Sequence, residues 1–498
     1  MEKAVPMSRT SRRRSRGHRW VRCGAVVLLA SLGAACGGSS DDATGRGSTD
    51  PGTDTATCAT DLADGPTEIT VWHPYNTLTK TTLESIAEAY NASQSKVHVN
   101  VEAQGNTIEL QKKFDEMMAT PDQLPDVVFT EDTNLQFMSD SGVVVPASAC
   151  QSSDQSGGRY LDGLFPAVTA AYTVQGTLWP AAFSVSTLMM YANDAQLRAA
   201  GLEPGVFPET LDELRTMSEK IKAANLPGVK APLVMKLDPW VLETLLTGSG
   251  QLIVNHGNGR DELASASELD NRSSVEVLEW IQGMVDDGLL TTIPYGDSID
   301  DFLAFSQGNS SFIISGQRSI TTVAAVMDGQ TQGVDIAGAP SSDVLQKLDI
   351  EAGLFPGLEE AGRSGVSGSA GYVVGGSDAR TAAAWDFMKF FNALPQQQRW
   401  VLEGSYVPSS QAVLDSPEVQ KAFTTTRGGR WTATVSEGIA ELDPDFPGPL
   451  VGPYGAYRDR LNRLLDEVGA GAEVRPALTA ASDDITDLLR SYRSEVGG

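Results

Sequence analysis

Two adjacent carboxylates, Glu131 and Asp132, close the short apolar run Val127 to Thr130. At a strand end such a pair could accept strong, charge-assisted bonds from hydroxyl groups. A solvated loop acid or a helix cap is the other reading. His73 and Tyr75 follow a second strand-like run, Thr67 to Trp72, with polar tips on rings that are as readily half-buried. Ser184 and Ser186 precede a third run, where hydroxyls bind a partner or close a turn. Trp240 comes after Asp238-Pro239 at the start of a helical stretch, as a stacking platform or a core ring. Gly368, Ser369 and Gly371 could bring backbone N–H groups close to an oxygen because no Cβ obstructs approach, or could serve a hinge. Ser315, Gln317 and Ser319 are polar groups after an apolar run. Trp280, Trp385 and Trp400 lie in apolar helical patterns and read as core. Aromatic faces and planar polar groups are what a polyhydroxyl molecule needs: the rings cover its C–H side and the polar groups meet its hydroxyls in pairs.

The motifs of bond-breaking chemistry do not accompany these groups. Gly248-Ser249-Gly250 lacks the spacing of a hydrolase elbow, and there is no HExxH and no P-loop. Paired carboxylates for glycoside cleavage must face each other at ~5–10 Å, which acid-rich sequence alone does not decide. The reading is of a binder, not an enzyme. Without a CxxC or a His–Cys cluster among four cysteines and four histidines, neither a metal site nor a cofactor is expected.

The net charge is −27. Residues 1–35 hold eight basic residues and one acid, which leaves 29 basic residues against 63 acidic ones and a charge of −34 on the remainder. Such a surface repels phosphate backbones and excludes nucleic acid as a partner.

The first residues form an arginine-rich stretch, a short apolar run from Ala25 to Leu32, and Leu32-Gly33-Ala34-Ala35-Cys36. The run is too short to span a bilayer. The pattern resembles the lipobox of bacterial lipoproteins and implies a signal peptide at 1–35, lipidation of Cys36 and attachment to the outer face of the cell membrane. Residues 36–66, rich in Gly, Ser, Thr and Asp, read as a flexible tether. Cys58 and Cys150 remain as an even pair in an oxidising compartment, either bridged or as two thiols.

Beyond Thr67, strand-like and helix-like runs alternate. Thr67–Trp72, Val97–Val101 and Val127–Phe129 read as strands; Leu83–Tyr90 and Leu110–Met118 read as helices. Later come a strand at Leu188–Tyr191, a helix at Leu211–Ala224 with Thr210 as its cap, and helices at Val275–Asp287, Ala382–Asn392, Tyr457–Val468 and Ile485–Val496. The rhythm predicts an α/β fold with mostly parallel sheets flanked by helices.

Local wording adds a family. Ile69-Thr70-Val71-Trp72-His73, Leu124-Pro125-Asp126-Val127-Val128-Phe129, Tyr191-Ala192-Asn193-Asp194, Ala199-Ala200-Gly201-Leu202, Phe312-Ile313-Ile314-Ser315-Gly316, Ser369-Ala370-Gly371-Tyr372 and Tyr406-Val407-Pro408 follow one another in order. From about residue 67 to 495 the chain resembles the large extracellular solute-binding proteins of ABC importers, in the group that carries sugars. Within it, the spacing is most similar to the glycerol-3-phosphate-binding branch.

The resemblance implies two lobes joined by hinge strands, with lobe one at 67–182 and 372–412 and lobe two at 183–371 and 413–498. It implies that a small sugar or polyol is closed between the lobes and handed to a membrane permease driven by an ATPase, by a protein that acts as a monomer. It makes Glu131 the acid that reads the ligand, and places Ser186, Trp240 and Tyr406 at ligand positions. Arg458 stands near an arginine of the relatives, in surroundings that depart from theirs, which favours a neutral solute over a phosphate. A glycerol phosphate or phosphodiester, a polyamine, and a cell-envelope scaffold with no small ligand are the alternatives.

Overall fold

A computed structural model describes residues 58, 61, 62 and 65–496, apart from 155, 157, 297–299, 317–319, 329–346, 360–362 and 364. The expected signal at 1–35, Cys36 with nearly all of the tether, and Ser319 lie outside the described residues.

Strands β1 (Thr67–His73), β2 (Val97–Ala103) and β3 (Val127–Glu131) form a parallel core in the order β2-β1-β3. The helices between them, Thr77–Ser93 and Thr107–Met117, provide the crossovers that parallel strands require. The first buries Leu83, Ile86, Ala87 and Tyr90, the positions that the 3.6-residue period puts on one face. The second starts three residues before its expected start, because Asn106 and Glu109 make a reciprocal capping box.

After β4 (Val144–Val145) and the hairpin β5 (Thr173–Val174) and β6 (Thr177–Leu178), the chain returns to this sheet as β7 (Ala182–Ser186). It then leaves at once. Only Thr187 separates β7 from β8 (Leu188–Asn193), which belongs to a second sheet with β9 (Leu233–Lys236), β10 (Leu290–Ile293), β11 (Phe312–Gly316) and β12 (Ile350–Leu354), in the order β10-β9-β11-β8-β12. The return crossing runs from Leu354 to β13 (Ser367–Val374), which pairs antiparallel with β3 on one edge and with β7 and β4 on the other.

Each sheet thus has a three-stranded parallel core extended by antiparallel strands. The strands that arrive from the other sheet need no helical crossover, so nothing obliges them to run parallel. The sheet change falls at Thr187 and within residues 355–366.

The first lobe is packed by aromatic residues. Helix Asp378–Phe391 buries Trp385, Met388 and Phe391, each contributing about 1.5–3 kcal/mol of apolar burial. In the second lobe, helices Arg272–Asp286, Tyr454–Gly469 and Val474–Val496 cover the sheet with Val275, Leu278, Ile281, Leu461, Leu465 and Ile485. Thr210 caps Leu211–Ala224 by accepting from Glu213 N at 3.2 Å. Cys58 and Cys150 are bridged across 92 residues. In the chain-entropy account that loop closure contributes about 4–5 kcal/mol, and it fastens the segment before β1 to helix Ala147–Ser153. Among the described residues no helix is long and apolar enough to cross a membrane.

Candidate functional site

The ends of strands and the starts of helices from both lobes meet at one cleft of about 50 Å³. The first lobe supplies Asp132, just beyond β3, and Ser367 at the start of β13. They adjoin because Glu131 and Ser369 are register partners. The second lobe supplies Trp240, Glu243, Tyr454 and Arg458. Trp240 is set by local chemistry: Asp238 caps the helix Pro239–Gly248 by accepting from Trp240 N at 2.9 Å, and Pro239 occupies the first helical position. The indole is half-buried and packs against Gly316.

Arg458 organises the charge. Its Nη1 lies 3.0 Å from Asp238 Oδ1 and its Nη2 lies 2.7 Å from Glu243 Oε2. Nε donates to Tyr454 Oη at 2.9 Å, and that hydroxyl donates to Glu243. The guanidinium also sits over the Tyr454 ring, 5.2 Å from its centroid. These partners hold the Arg458 pKa well above its usual value despite burial, while burial raises that of Glu243. Burial and the neighbouring Glu131 push Asp132 up to about 7, against the opposing pull of Arg458, the Gly368 N–H and the Ser367 hydroxyl. Tyr295, 45% exposed, stands in the field of Asp238, Arg458 and Glu131. Among the described residues no group of His, Cys, Asp and Glu is arranged to hold a metal ion.

The residues expected at the site fall into two sets. Asp132, Trp240 and Arg458 come together on the cleft. Glu131 is beside it, its Oε1 accepting from Thr107 Oγ1 at 3.2 Å. His73, Tyr75, Ser184, Ser186, Ser369 and Tyr406 form a buried knot among β1, β7, β13 and helix Leu394–Leu402, whereas Ser315 lies on β11 of the second sheet. Tyr75 Oη bonds Ser369 Oγ at 2.5 Å and Ser184 Oγ at 3.3 Å, and Trp400 Nε1 donates to Ser184 Oγ at 3.1 Å. Tyr406 stacks on Trp400, with centroids 5.3 Å apart. His73 Nδ1 accepts from Tyr75 N at 3.0 Å, and burial with the Lys80 charge pushes its pKa down to about 4. The hydroxyls of Ser186 and Tyr406 and His73 Nε2 are buried with no hydrogen-bond partner among the described residues.

Gly368 and Gly371 serve close strand packing. A Cβ on Gly368, at φ +132°, would lie 1.9 Å from the Ser184 carbonyl oxygen, and one on Gly371 would lie 2.8 Å from the Phe129 ring. Glu243, Tyr454 and Asp238 were not among the expected site residues. The available signal was an acid inside the apolar run Val241-Leu242-Glu243-Thr244-Leu245-Leu246, where a buried charge demands a partner.

Two lobes joined by strands, with an indole and ionic groups from both facing one cleft, define a protein that captures a solute. The model of the bacterial extracellular solute-binding protein family matches residues 85–425, and the chain belongs to that family. The sn-glycerol-3-phosphate-binding periplasmic protein UgpB of Pectobacterium atrosepticum is 20% identical over 451 residues, covering 86% of this chain and 93% of its own. The cyclic alpha-maltosyl-1,6-maltose binding protein from Arthrobacter globiformis superposes with a TM-score of 0.67 at 20% identity, over 86% of this chain and 100% of its own. UgpB from Mycobacterium tuberculosis in complex with glycerophosphocholine gives a TM-score of 0.67 at 15% identity, over 86% and 100% of the two chains. At these identities the structural likeness shows the fold.

Proposed function

We propose that this protein is the lipid-anchored, extracytoplasmic binding subunit of an ABC importer. It captures an uncharged carbohydrate or polyol by closing its lobes and delivers it to a permease. Lobe one is the β1–β4, β7 and β13 sheet with its helices, lobe two the β8–β12 sheet with its own, and Cys36 carries the lipid. The observation that carries the solute class is the pairing of Arg458 with Asp238 and Glu243. A guanidinium held by two carboxylates has little to offer a phosphate. The cleft instead presents an indole face, the Asp132 carboxyl and the Ser367 hydroxyl, which suit a sugar ring.

Closure works by population shift, with the solute touching Asp132 and Trp240 together only when the lobes meet. The names of the UgpB relatives favour a second reading, a glycerol phosphate or its diester. A thermal-shift panel of neutral sugars, polyols, glycerol 3-phosphate, glycerophosphocholine and polyamines tests both. A compound at a hundred times its Kd adds about 2.7 kcal/mol to stability. Stabilisation by a neutral sugar or polyol supports the proposal. Stabilisation by the phosphates or polyamines alone overturns it.

A further inference from the structure

Arg260 leaves the second lobe and ends on the first. It follows the turn Asn255–Gly259, in which His256, Gly257 and Asn258 all adopt left-handed backbone, with φ of 56°, 59° and 59°. The buried Asn258 holds this turn, its Oδ1 accepting from Ile253 N at 2.7 Å and Val254 N at 3.1 Å. Gly259 permits the close approach of the Leu450 carbonyl oxygen, which would lie 2.3 Å from a Cβ. Left-handed backbone at non-glycine residues costs of order 1–3 kcal/mol each and persists only where the surroundings hold it.

The turn aims the side chain. Arg260 Nη1 donates to the carbonyl oxygens of Ala171 at 2.8 Å and Thr173 at 3.2 Å, and Nη2 to that of Gly448 at 3.3 Å. Ala171 ends the first-lobe helix Pro166–Ala171, where the Tyr172 N–H is shared among the carbonyls of Val168, Thr169 and Ala170 and the Ala171 carbonyl accepts from the guanidinium instead. Asp132, Tyr172 and Tyr372, all of the first lobe, lie in the field of the same guanidinium. Arg260 Nε and the hydroxyls of Tyr172 and Tyr372 are buried with no hydrogen-bond partner among the described residues.

We propose that Arg260 is the latch between the lobes, a positioning residue that touches no solute and sets how long the closed form lasts. The inference rests on lobe closure as proposed above. The forked contact to Ala171 and Thr173 exists only while the lobes meet. When they part, the guanidinium returns to water. Removing the fork therefore speeds opening and leaves solute arrival unchanged, whereas lysine, a point charge, recovers part of the contact.

The test compares wild type, Arg260→Ala and Arg260→Lys, with maltose and glycerol 3-phosphate as probes. Stopped-flow tryptophan fluorescence reads the rates and small-angle X-ray scattering reads compactness with and without each probe. Losing a charge-assisted contact should raise the dissociation rate of Arg260→Ala about tenfold or more, with association within about twofold and Arg260→Lys in between. Arg260→Ala should also scatter as the more open molecule. An unchanged dissociation rate, or a loss confined to association, overturns the latch. A wild type that binds neither probe counts against the solute reading instead. The scattering of wild type against Arg260→Ala then decides: equal curves overturn the latch and a more open variant upholds it.

Discussion

Glu243 Oε2 lies 2.7 Å from Arg458 Nη2 although 215 residues separate them in the chain. The pair joins the helix that follows β9 to a helix near the C-terminus, with Tyr454 Oη bonded to both partners. Through it, the guanidinium on the second-lobe wall of the cleft is compensated before any solute arrives.

Breaking the pair from either side separates its two roles. Arg458→Ala leaves Glu243, 6% exposed, as an uncompensated buried charge. Unfolding by urea should register a loss of about 3–5 kcal/mol. Glu243→Gln instead removes one of the two carboxylates that hold the guanidinium, leaving Asp238 in place, and calorimetry should show glycerol 3-phosphate binding about tenfold tighter than to wild type, the value of one charge-assisted hydrogen bond. An unchanged phosphate affinity would mean that the guanidinium does not reach the solute.

Trp240→Ala should weaken sugar binding by about 2–4 kcal/mol, as truncation of a central aromatic contact does. Trp240→Phe keeps a ring and should lose less. Equal affinity of all three proteins removes the indole from the solute contact.

Asp132 makes stability depend on pH in a defined direction. Its carboxyl is raised from 3.8 to about 7, so the folded protein holds that proton more tightly than the unfolded chain. The stability this contributes is complete below about pH 4 and is lost as pH rises to about 7. His73, lowered from 6.5 to about 4, acts in the opposite sense and loses its contribution as pH falls through that interval. The difference in unfolding free energy between wild type and Asp132→Asn isolates the carboxyl, because His73 is common to both. It should decline from pH 4 to pH 7 and level off above. A difference independent of pH contradicts the burial of this acid.

Gly368→Ala should destabilise the protein at the strand crossing. Its backbone φ of +132° and the nearby Ser184 carbonyl leave no room for a methyl group. Strain of this kind costs about 1–3 kcal/mol, and thermal melting of the variant measures it. A variant as stable as wild type would show that β7 and β13 can separate without loss.

Where local patterns decide the structure, the sequence was readable. The alternation in Val97–Val101, the helical period of Leu83–Tyr90 and the Thr210 cap are decided by neighbours in the chain. Trp240 was legible for the same reason, since Asp238-Pro239 announces a helix start with an indole in its first turn. Depth was not legible. Tyr75, Ser184 and Ser369 bond one another, and Tyr406 stacks on the Trp400 ring that bonds Ser184, in a buried knot that nothing in their spacing announces. The carboxylate partners of Arg458 and the reach of Arg260 depend on contacts between residues 87 or more positions apart, which only the fold brings together. The run Asn255-His256-Gly257-Asn258-Gly259 signals a turn without saying what the turn points at.

The most direct measurement is calorimetric titration of the wild-type protein with its best neutral sugar or polyol beside glycerol 3-phosphate, repeated with Trp240→Ala and Glu243→Gln. The account predicts that the neutral compound binds more tightly to wild type, that Trp240→Ala abolishes most of that affinity, and that phosphate gains only when Glu243 is neutralised. Tighter binding of glycerol 3-phosphate to the wild type, with Glu243→Gln making no difference, would contradict it.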